Sequence, residues 1–409
     1  MRRFGHLVVI GAIAIATAAA LAQQAPEGQG GGRGGGRGGG RGGVQIQPGE
    51  ECPPGTTETR PGTCQAPQLP APSIVDYRPK STVVAEGHPV PRAKFPVVDI
   101  HSHHAVTPEN MERTIGEMDA LNLRVLVNLS GGGSERVGQL TGTIRNSPHK
   151  DRFRVFANVN LEGIGSPGWT EKALADLEQA IANGAIGLKI YKNLGLSARK
   201  ADGTRLKVDD PDLDPIWQAC ARHDIPVIIH VADPERFFAP LDHTNERWLE
   251  LALFPNRQYP QDRFPSFEEL VGERDRMFAR NRKTRFINAH FGWHGNDFAR
   301  ASKLMDELPN MVMEVGAVLY EFGRQPHAAR EFFIKYQDRV LFGKDSYQPG
   351  EYPYYWRVFE TSDEYFDYYR DYHAFWKLYG LALPDGVLRK LYYANALKLV
   401  PGLPRAHLK

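Results

Sequence analysis

Eight short apolar runs, recurring from residue 95 to residue 345, constrain the fold more than any other feature. They are FPVVDI (95–100), LRVLVNL (123–129), FRVFANVNL (153–161), AIGLKIY (185–191), IPVIIHV (225–231), RFINAHF (285–291), MVMEVGA (311–317) and RVLFGKD (339–345). Nearly continuous rather than alternating apolar residues suit parallel strands covered on both faces. The intervening segments carry helical periodicity. In WTEKALADLEQAIANGA the residues Leu174, Leu177, Ala180 and Ile181 form one stripe, and Asn183-Gly184 supplies a left-handed stop. In LDPIWQACARHDIP, Asp214 is placed as an N-cap with Pro215 at the first helical position. Eight strand-helix repeats predict an α/β chain folded as a (β/α)8 barrel over residues 95–409. A doubly wound open sheet is the alternative, but no Gly-rich phosphate fingerprint follows the first run.

The segments before the barrel read differently. Arg2 and Arg3, an apolar stretch over 7–21 and Ala20-Leu21-Ala22 form a signal peptide over 1–22. The stretch is short for a membrane span, so export to the periplasm or outside is expected, with no stable membrane insertion after cleavage. Arg2-Arg3 leaves a twin-arginine route open. Residues 23–50, with GGGR repeated, read as a flexible linker, and 51–94 as an irregular Pro-rich extension over the barrel. Cys52 and Cys64 are placed to close a short loop in an oxidising compartment, whereas Cys220 lies on an apolar helical face. A formal net charge of +2 gives no strong field to select nucleic acid or an anionic membrane. The expected partner is a small-molecule substrate, with a homo-oligomer allowed.

In a (β/α)8 barrel the chemistry collects at the C-terminal ends of the strands. The first run ends in VVDIHSHH, which carries His101 and His103 at strand spacing. A lone His-x-His is most simply structural. Here Lys189 follows on the fourth run, with Lys192 just beyond it, then His230 on the fifth, His290 on the sixth and Asp345 on the eighth. Five strand ends carrying such residues at one barrel mouth point to a metal site with a polar companion. His104 is read as structural, and Asp99 as lying on the histidine face deeper in the strand.

The order His-x-His, His, His, Asp resembles the amidohydrolase superfamily. The resemblance extends to DRFRVF, FINAHFG, RVLFGKDS and YYANALKLV. It is closest to the branch that groups metal-dependent hydrolases with aminocarboxymuconate-semialdehyde and resorcylate decarboxylases. It implies that His101, His103, His230 and Asp345 bind one divalent metal, Zn²⁺ first, with Mn²⁺ or a second metal allowed. It implies that His290 polarises or orients the substrate. Such a metal brings the pKa of its water toward neutrality, and Asp345 then takes and passes on the proton. Lys189 is either a second-metal bridge, if carboxylated, or a substrate contact. Where relatives often read Gly-Thr-Asp, this chain has Gly343-Lys344-Asp345, and Lys344 is expected to point away from the metal. Glu314 is either a support for the ligands or a buried, paired acid.

Trp293, His294, Arg324 and Tyr347 are candidate substrate contacts; Arg236, Asn245 and Arg247 are weaker ones. The aromatic residues after Asp345 suggest a wall for a ring-shaped substrate. The expected activity is metal-dependent hydrolysis of an amide, ester or lactone. Non-oxidative decarboxylation of an aromatic or unsaturated acid is the first alternative, and a non-catalytic binding protein on the same barrel is the second.

Overall fold

The structure is a computed structural model that describes residues 43–373, 375–406 and 408. The signal peptide over 1–22 and most of the linker lie outside the described residues. The chain divides into two compact units, residues 1–71 and 72–409. In the first, strands Val44–Gln45, Thr57–Arg60 and Thr63–Gln65 form an antiparallel sheet with Thr63–Gln65 in the centre. A Cys52–Cys64 disulfide joins Cα atoms 5.7 Å apart. Residues 57–65 of the segment read as irregular are thus partly strand.

In the second unit all eight apolar runs contain strand. The barrel strands are β1 (Val97–His103), β2 (Leu123–Asn128), β3 (Phe153–Val155 and Ala157–Asn158), β4 (Leu188–Ile190), β5 (Val227–Ile229), β6 (Phe286–Asn288), β7 (Met311–Glu314) and β8 (Val340–Leu341 and Asp345–Ser346). Neighbours pair in parallel around the ring, and Asp345–Ser346 returns to β1. This closed α/β ring is the (β/α)8 barrel that the eight runs predict. Between Pro72 and Phe95 the chain carries no regular element. It is tied down by Arg78–Asp371, His88–Asp363 and Lys94–Asp385 pairs.

Two apolar layers hold the ring. Val98, Ile100, Val125, Val127, Ile228, Ile287, Val312 and Leu341 fill its interior, and Val400, Leu403 and Leu408 join them. Val97, Leu123, Leu188, Val227, Phe286, Met311 and Val340 pack outward against the helices. Each buried aliphatic side chain contributes roughly 1.5–3 kcal/mol. Helix Pro108–Leu121 has Thr107 as N-cap, accepting from Asn110 N at 3.2 Å, with Pro at its start. Helix Trp169–Ala182 stops at Asn183, and Gly184 takes the left-handed conformation. Helix Asp214–Arg222 begins one residue earlier than expected. Asp214 lies in its first turn, with a 3₁₀ turn, Pro211–Leu213, before it. Among the described residues no helix is long and apolar enough to cross a membrane.

The YYAN portion of the C-terminal motif anchors β8. A π-helical turn, Lys390–Ala394, frees the Leu391 carbonyl to accept from Phe342 N at 3.1 Å. Asn395 Nδ2 donates to Val340 O at 2.9 Å. The strand that presents Asp345 is thus tied to the last helix.

Candidate metal centre and its surroundings

The C-terminal ends of the strands carry the site. Val98 and Ile100 point into the barrel, so strict alternation would turn His101 and His103 outward. A register shift between Asp99 and Ser102 breaks that alternation and brings both imidazoles to the mouth. Asp99 does not share their face. It accepts from Tyr352 OH (2.7 Å), His101 N (2.9 Å) and Lys344 N (3.2 Å), and burial raises its carboxyl to about 6. It braces the bulge from behind.

His101 and His103 present their Nε2 atoms to Asp345 Oδ1 at 3.2 and 3.7 Å. Their Nδ1 atoms are taken elsewhere. His101 Nδ1 lies 3.0 Å from Glu314 Oε2 and His103 Nδ1 lies 2.7 Å from Ser130 Oγ. A carboxylate only accepts, so Glu314 holds a proton on His101 Nδ1. Burial and Lys189 oppose a second proton, but Glu314 and Asp345 raise the imidazole, so in the ion-free chain Nε2 is protonated toward Asp345, and a metal would take that proton's place. Burial and the neighbouring His101 push His103 down to about 3, leaving it neutral. Asp345 stays ionised: burial opposes this, but the His101 hydrogen bond and nearby positive groups hold it well below the usual carboxylate range. Ligand atoms of His101, His103 and Asp345 lie within 4.8 Å of one another. Two imidazole Nε2 atoms facing a carboxylate, with both remote nitrogens anchored, suit a divalent transition metal. A second convergent group, His101, His290 and Glu314, shares His101.

His230 stands apart from the first group. Its Nδ1 lies 3.2 Å from His290 Nε2, and its Nε2 lies 3.3 Å from Asp233 Oδ1. Asp233 also accepts from Lys192 Nζ and Tyr259 OH, both at 2.5 Å. Sequence reasoning missed Asp233, although HVADP places it three residues after His230. Lys189 is buried, with Nζ 3.3 Å from His101 Nε2, and burial lowers its amine to about 8.

His290 and Trp293 sit in a left-handed turn after β6. The φ values are 55° at His290, 57° at Phe291, 59° at Gly292 and 60° at Trp293. Such backbone costs roughly 1–2 kcal/mol per non-glycine residue. Ala232, Ala317 and Asp345 are also left-handed, so strain collects at the ends of β5 to β8, as it does at many functional sites. The turn stacks Trp293 on His290 at 4.7 Å. A cleft opens beside it, lined by Glu235, Arg236, Trp293 and Tyr320 among others. His290 Nδ1 lies 2.9 Å from the Gly316 carbonyl. That carbonyl needs a donor, so a neutral His290 keeps its proton on Nδ1 and offers Nε2 as an acceptor. Donation to an oxyanion would require His290 to be protonated first.

Other expected contacts are engaged within the chain. His294 Nε2 lies 3.1 Å from Arg274 Nη2, behind the turn, and is not brought to the site. Arg324 already has two carboxylates, Glu246 (2.9 Å) and Glu321 (2.6 Å), and stacks on Trp376; it is a structural ion pair. Tyr347 donates to Glu117 at 2.9 Å. Asn245 caps local carbonyls, and Arg247 pairs with Glu250 under Tyr320. Tyr352, Tyr355, Trp356 and Phe359 are fully buried, and the first three pack around Phe342. They are core rather than a substrate wall. Trp293 and Tyr191 bring aromatic rings to the site, 5.6 Å from His230 and 6.0 Å from His103. Lys344 points away, pairing with Glu351.

Glu321 gives one prediction. Burial raises its carboxyl from its ordinary value of 4.5 to about 7, against the pull of Arg324. The folded state therefore holds more protons than the unfolded chain between these values, and this contribution to stability is lost as pH rises through 7. Urea unfolding at pH 5 and pH 8 should show a smaller stability drop in Glu321→Gln than in the wild type, by on the order of 2 kcal/mol. An equal drop in both proteins would contradict it.

The parallel barrel and the His/Asp cluster at its mouth define a metal-dependent enzyme class. A family model described as Amidohydrolase matches residues 149–402, and the chain belongs to this family of metal-dependent enzymes. No curated protein matches it. Among solved structures it is similar to a 2,6-dihydroxybenzoate decarboxylase complexed with 2,6-dihydroxybenzoate, at 16% identity, 75% of this chain, 99% of that chain and TM-score 0.48. It is similar to a dihydroxybenzoic acid decarboxylase from Polaromonas sp. with bound manganese (14%, 75% and 96%, 0.47). It is also similar to 4-oxalomesaconate hydratase from Rhodopseudomonas palustris (13%, 75% and 95%, 0.46).

Proposed function

We propose that the enzyme is a hydrolase that cleaves an amide, ester or lactone bond of a small molecule with water, using zinc. The observation that carries this reading is the ionised Asp345 carboxylate facing the Nε2 atoms of His101 and His103. His101, His103 and Asp345 would hold the ion. His230, across His290, is the proposed fourth ligand. When bound, the ion supplies Lewis acidity: it polarises a substrate oxygen and brings water's pKa toward neutrality.

The chain's own residues supply the rest. Asp345 takes a proton from the attacking water as the new C–O bond forms. It returns that proton to the leaving nitrogen or oxygen as the scissile bond breaks. His290 Nε2 accepts a hydrogen bond and orients the substrate. Lys189 is the proposed donor to the negative charge that develops on the carbonyl oxygen. Trp293 forms one wall. Lys192, Arg247 and Arg324 each already face a carboxylate of the chain, so none of the three is free to hold a substrate carboxylate. A leader over 1–22, as proposed from the sequence, would carry the enzyme out of the cytoplasm.

Metal analysis and a substrate panel test the reading. Protein expressed in supplemented medium should hold about one divalent ion per chain. Chelation should abolish turnover, and zinc should restore it. Lactones, amides and esters should yield acid without CO₂. Absence of stoichiometric metal would sink the proposal, CO₂ release would move it to a carboxy-lyase, and two ions per chain would make Lys189 a bridge.

A further inference from the structure

Three contacts lead from His103 away from the proposed metal position. His103 Nδ1 lies 2.7 Å from Ser130 Oγ, and Ser130 Oγ lies 3.2 Å from Tyr191 OH. Tyr191 OH donates to the Leu129 carbonyl at 3.1 Å. The contacts join residues at the ends of three strands: His103 on β1, Ser130 after β2 and Tyr191 after β4. Ser130 is itself fixed, since its N–H donates to Asn128 Oδ1 at 2.8 Å and Asn128 Nδ2 donates to His104 O at 3.0 Å.

The protons can be assigned by counting donors. The Leu129 carbonyl only accepts, and it also takes the Asn158 amide at 3.0 Å. Tyr191 has one hydroxyl proton, which that carbonyl takes. The phenol oxygen then accepts from Ser130. Ser130 has spent its own proton, so its remaining lone pair accepts from His103 Nδ1–H. The reverse arrangement, with Ser130 donating to a bare Nδ1, would leave two lone pairs facing each other between Ser130 and Tyr191. One direction alone fills all three contacts.

We infer that Tyr191, acting through Ser130, sets the tautomer of His103 and so keeps its Nε2 lone pair available to a metal ion. Both are positioning residues, and neither touches the reacting atoms in this role. The inference rests on the proposed function in taking His103 as a ligand. The ring of Tyr191 lies 6.0 Å from that of His103 and is 37% exposed. Tyr191→Phe therefore keeps the ring and removes only the last link, while Ser130→Ala removes the middle one. Ser130→Thr retains a hydroxyl.

The test uses the full chain and two readouts. In metal-free protein labelled with ¹⁵N-histidine, NMR should show His103 protonated on Nδ1 in the wild type. The Nε2–H form should gain population in Tyr191→Phe and Ser130→Ala. Competition for zinc against a chromophoric chelator should show Ser130→Ala weaker by about 10- to 100-fold. Tyr191→Phe should be weaker by less, and Ser130→Thr should stay within about twofold of the wild type. An unchanged His103 tautomer in both variants, or zinc affinities within twofold of the wild type in both, would overturn the inference. If the wild type binds no zinc, the proposed function fails, whereas the tautomer measurement on metal-free protein still decides whether the hydrogen-bond chain exists.

Discussion

Asp345→Asn is expected to lower kcat by about 10³-fold or more while the protein still folds. The size follows from two losses. The carboxylate is the proposed base, and positioned general bases contribute roughly 10²–10⁴-fold. It is also the anionic member of the His101, His103 and Asp345 group, so its removal weakens the hold on a cation as well. Folding should survive because of the backbone. Asp345 has φ of 85°, and asparagine tolerates left-handed backbone better than most residues. Alanine at this position would confound chemistry with strain, so the amide is the cleaner test. Its side chain is 36% exposed, and the substitution leaves no fully buried orphan. Steady-state kinetics on a panel-identified substrate and a thermal melt of the metal-free protein check the two halves. A variant retaining more than about a tenth of wild-type kcat would remove Asp345 from the proton path.

The barrel was legible because its strands are covered on both faces. That burial leaves eight nearly unbroken apolar runs, and each contains a strand. The ends of those runs also single out His101, His103, Lys189, His230, His290 and Asp345 as candidates, since a polar residue closing an apolar strand is conspicuous; of these the fold brings His101, His103 and Asp345 into one group and His290 beside His101. How these side chains are aimed was not legible. Period-two reading puts Asp99 and His101 on one face, but the register shift after Asp99 separates them. Nothing in FINAHFGW announces left-handed residues from His290 to Trp293, because glycine occupies only one of them. Partner choice was hidden too. Arg324 reads as a free guanidinium, but Glu246 meets it from 78 residues away. Ser130 and Tyr191 carry no metal-ligand signature. What could have suggested Ser130 is NLSGGG, a small hydroxyl at a strand end beside the mouth.

Glu314 shows how the fold constrains the chemistry, and Glu314→Ala is expected to cost the metal-free barrel on the order of 3–5 kcal/mol. The carboxylate is fully buried at the end of β7. One oxygen takes His101 Nδ1 at 3.0 Å and His290 N at 3.1 Å, and the other takes Gly316 N. Alanine would strand three donors in a dry interior, each costing about 1–3 kcal/mol. The cavity is shaped to the acid as well: a Cβ at Gly316 or Gly343 would run into the carboxylate. Gln is not a neutral replacement, since one face of its amide would present N–H to an N–H. Glu314→Gln should therefore lose stability too, though less than Ala. Ala releases His101 Nδ1 and one prop of the strained His290 turn, so its zinc affinity should fall by about 10- to 100-fold, whereas Gln can keep its carbonyl oxygen on both donors and should lose less. Urea unfolding of metal-free protein and chelator competition measure the two effects separately. A Glu314→Ala variant within 1 kcal/mol of wild type, or with unaltered zinc affinity, would mean that His101 is held by the bulge alone.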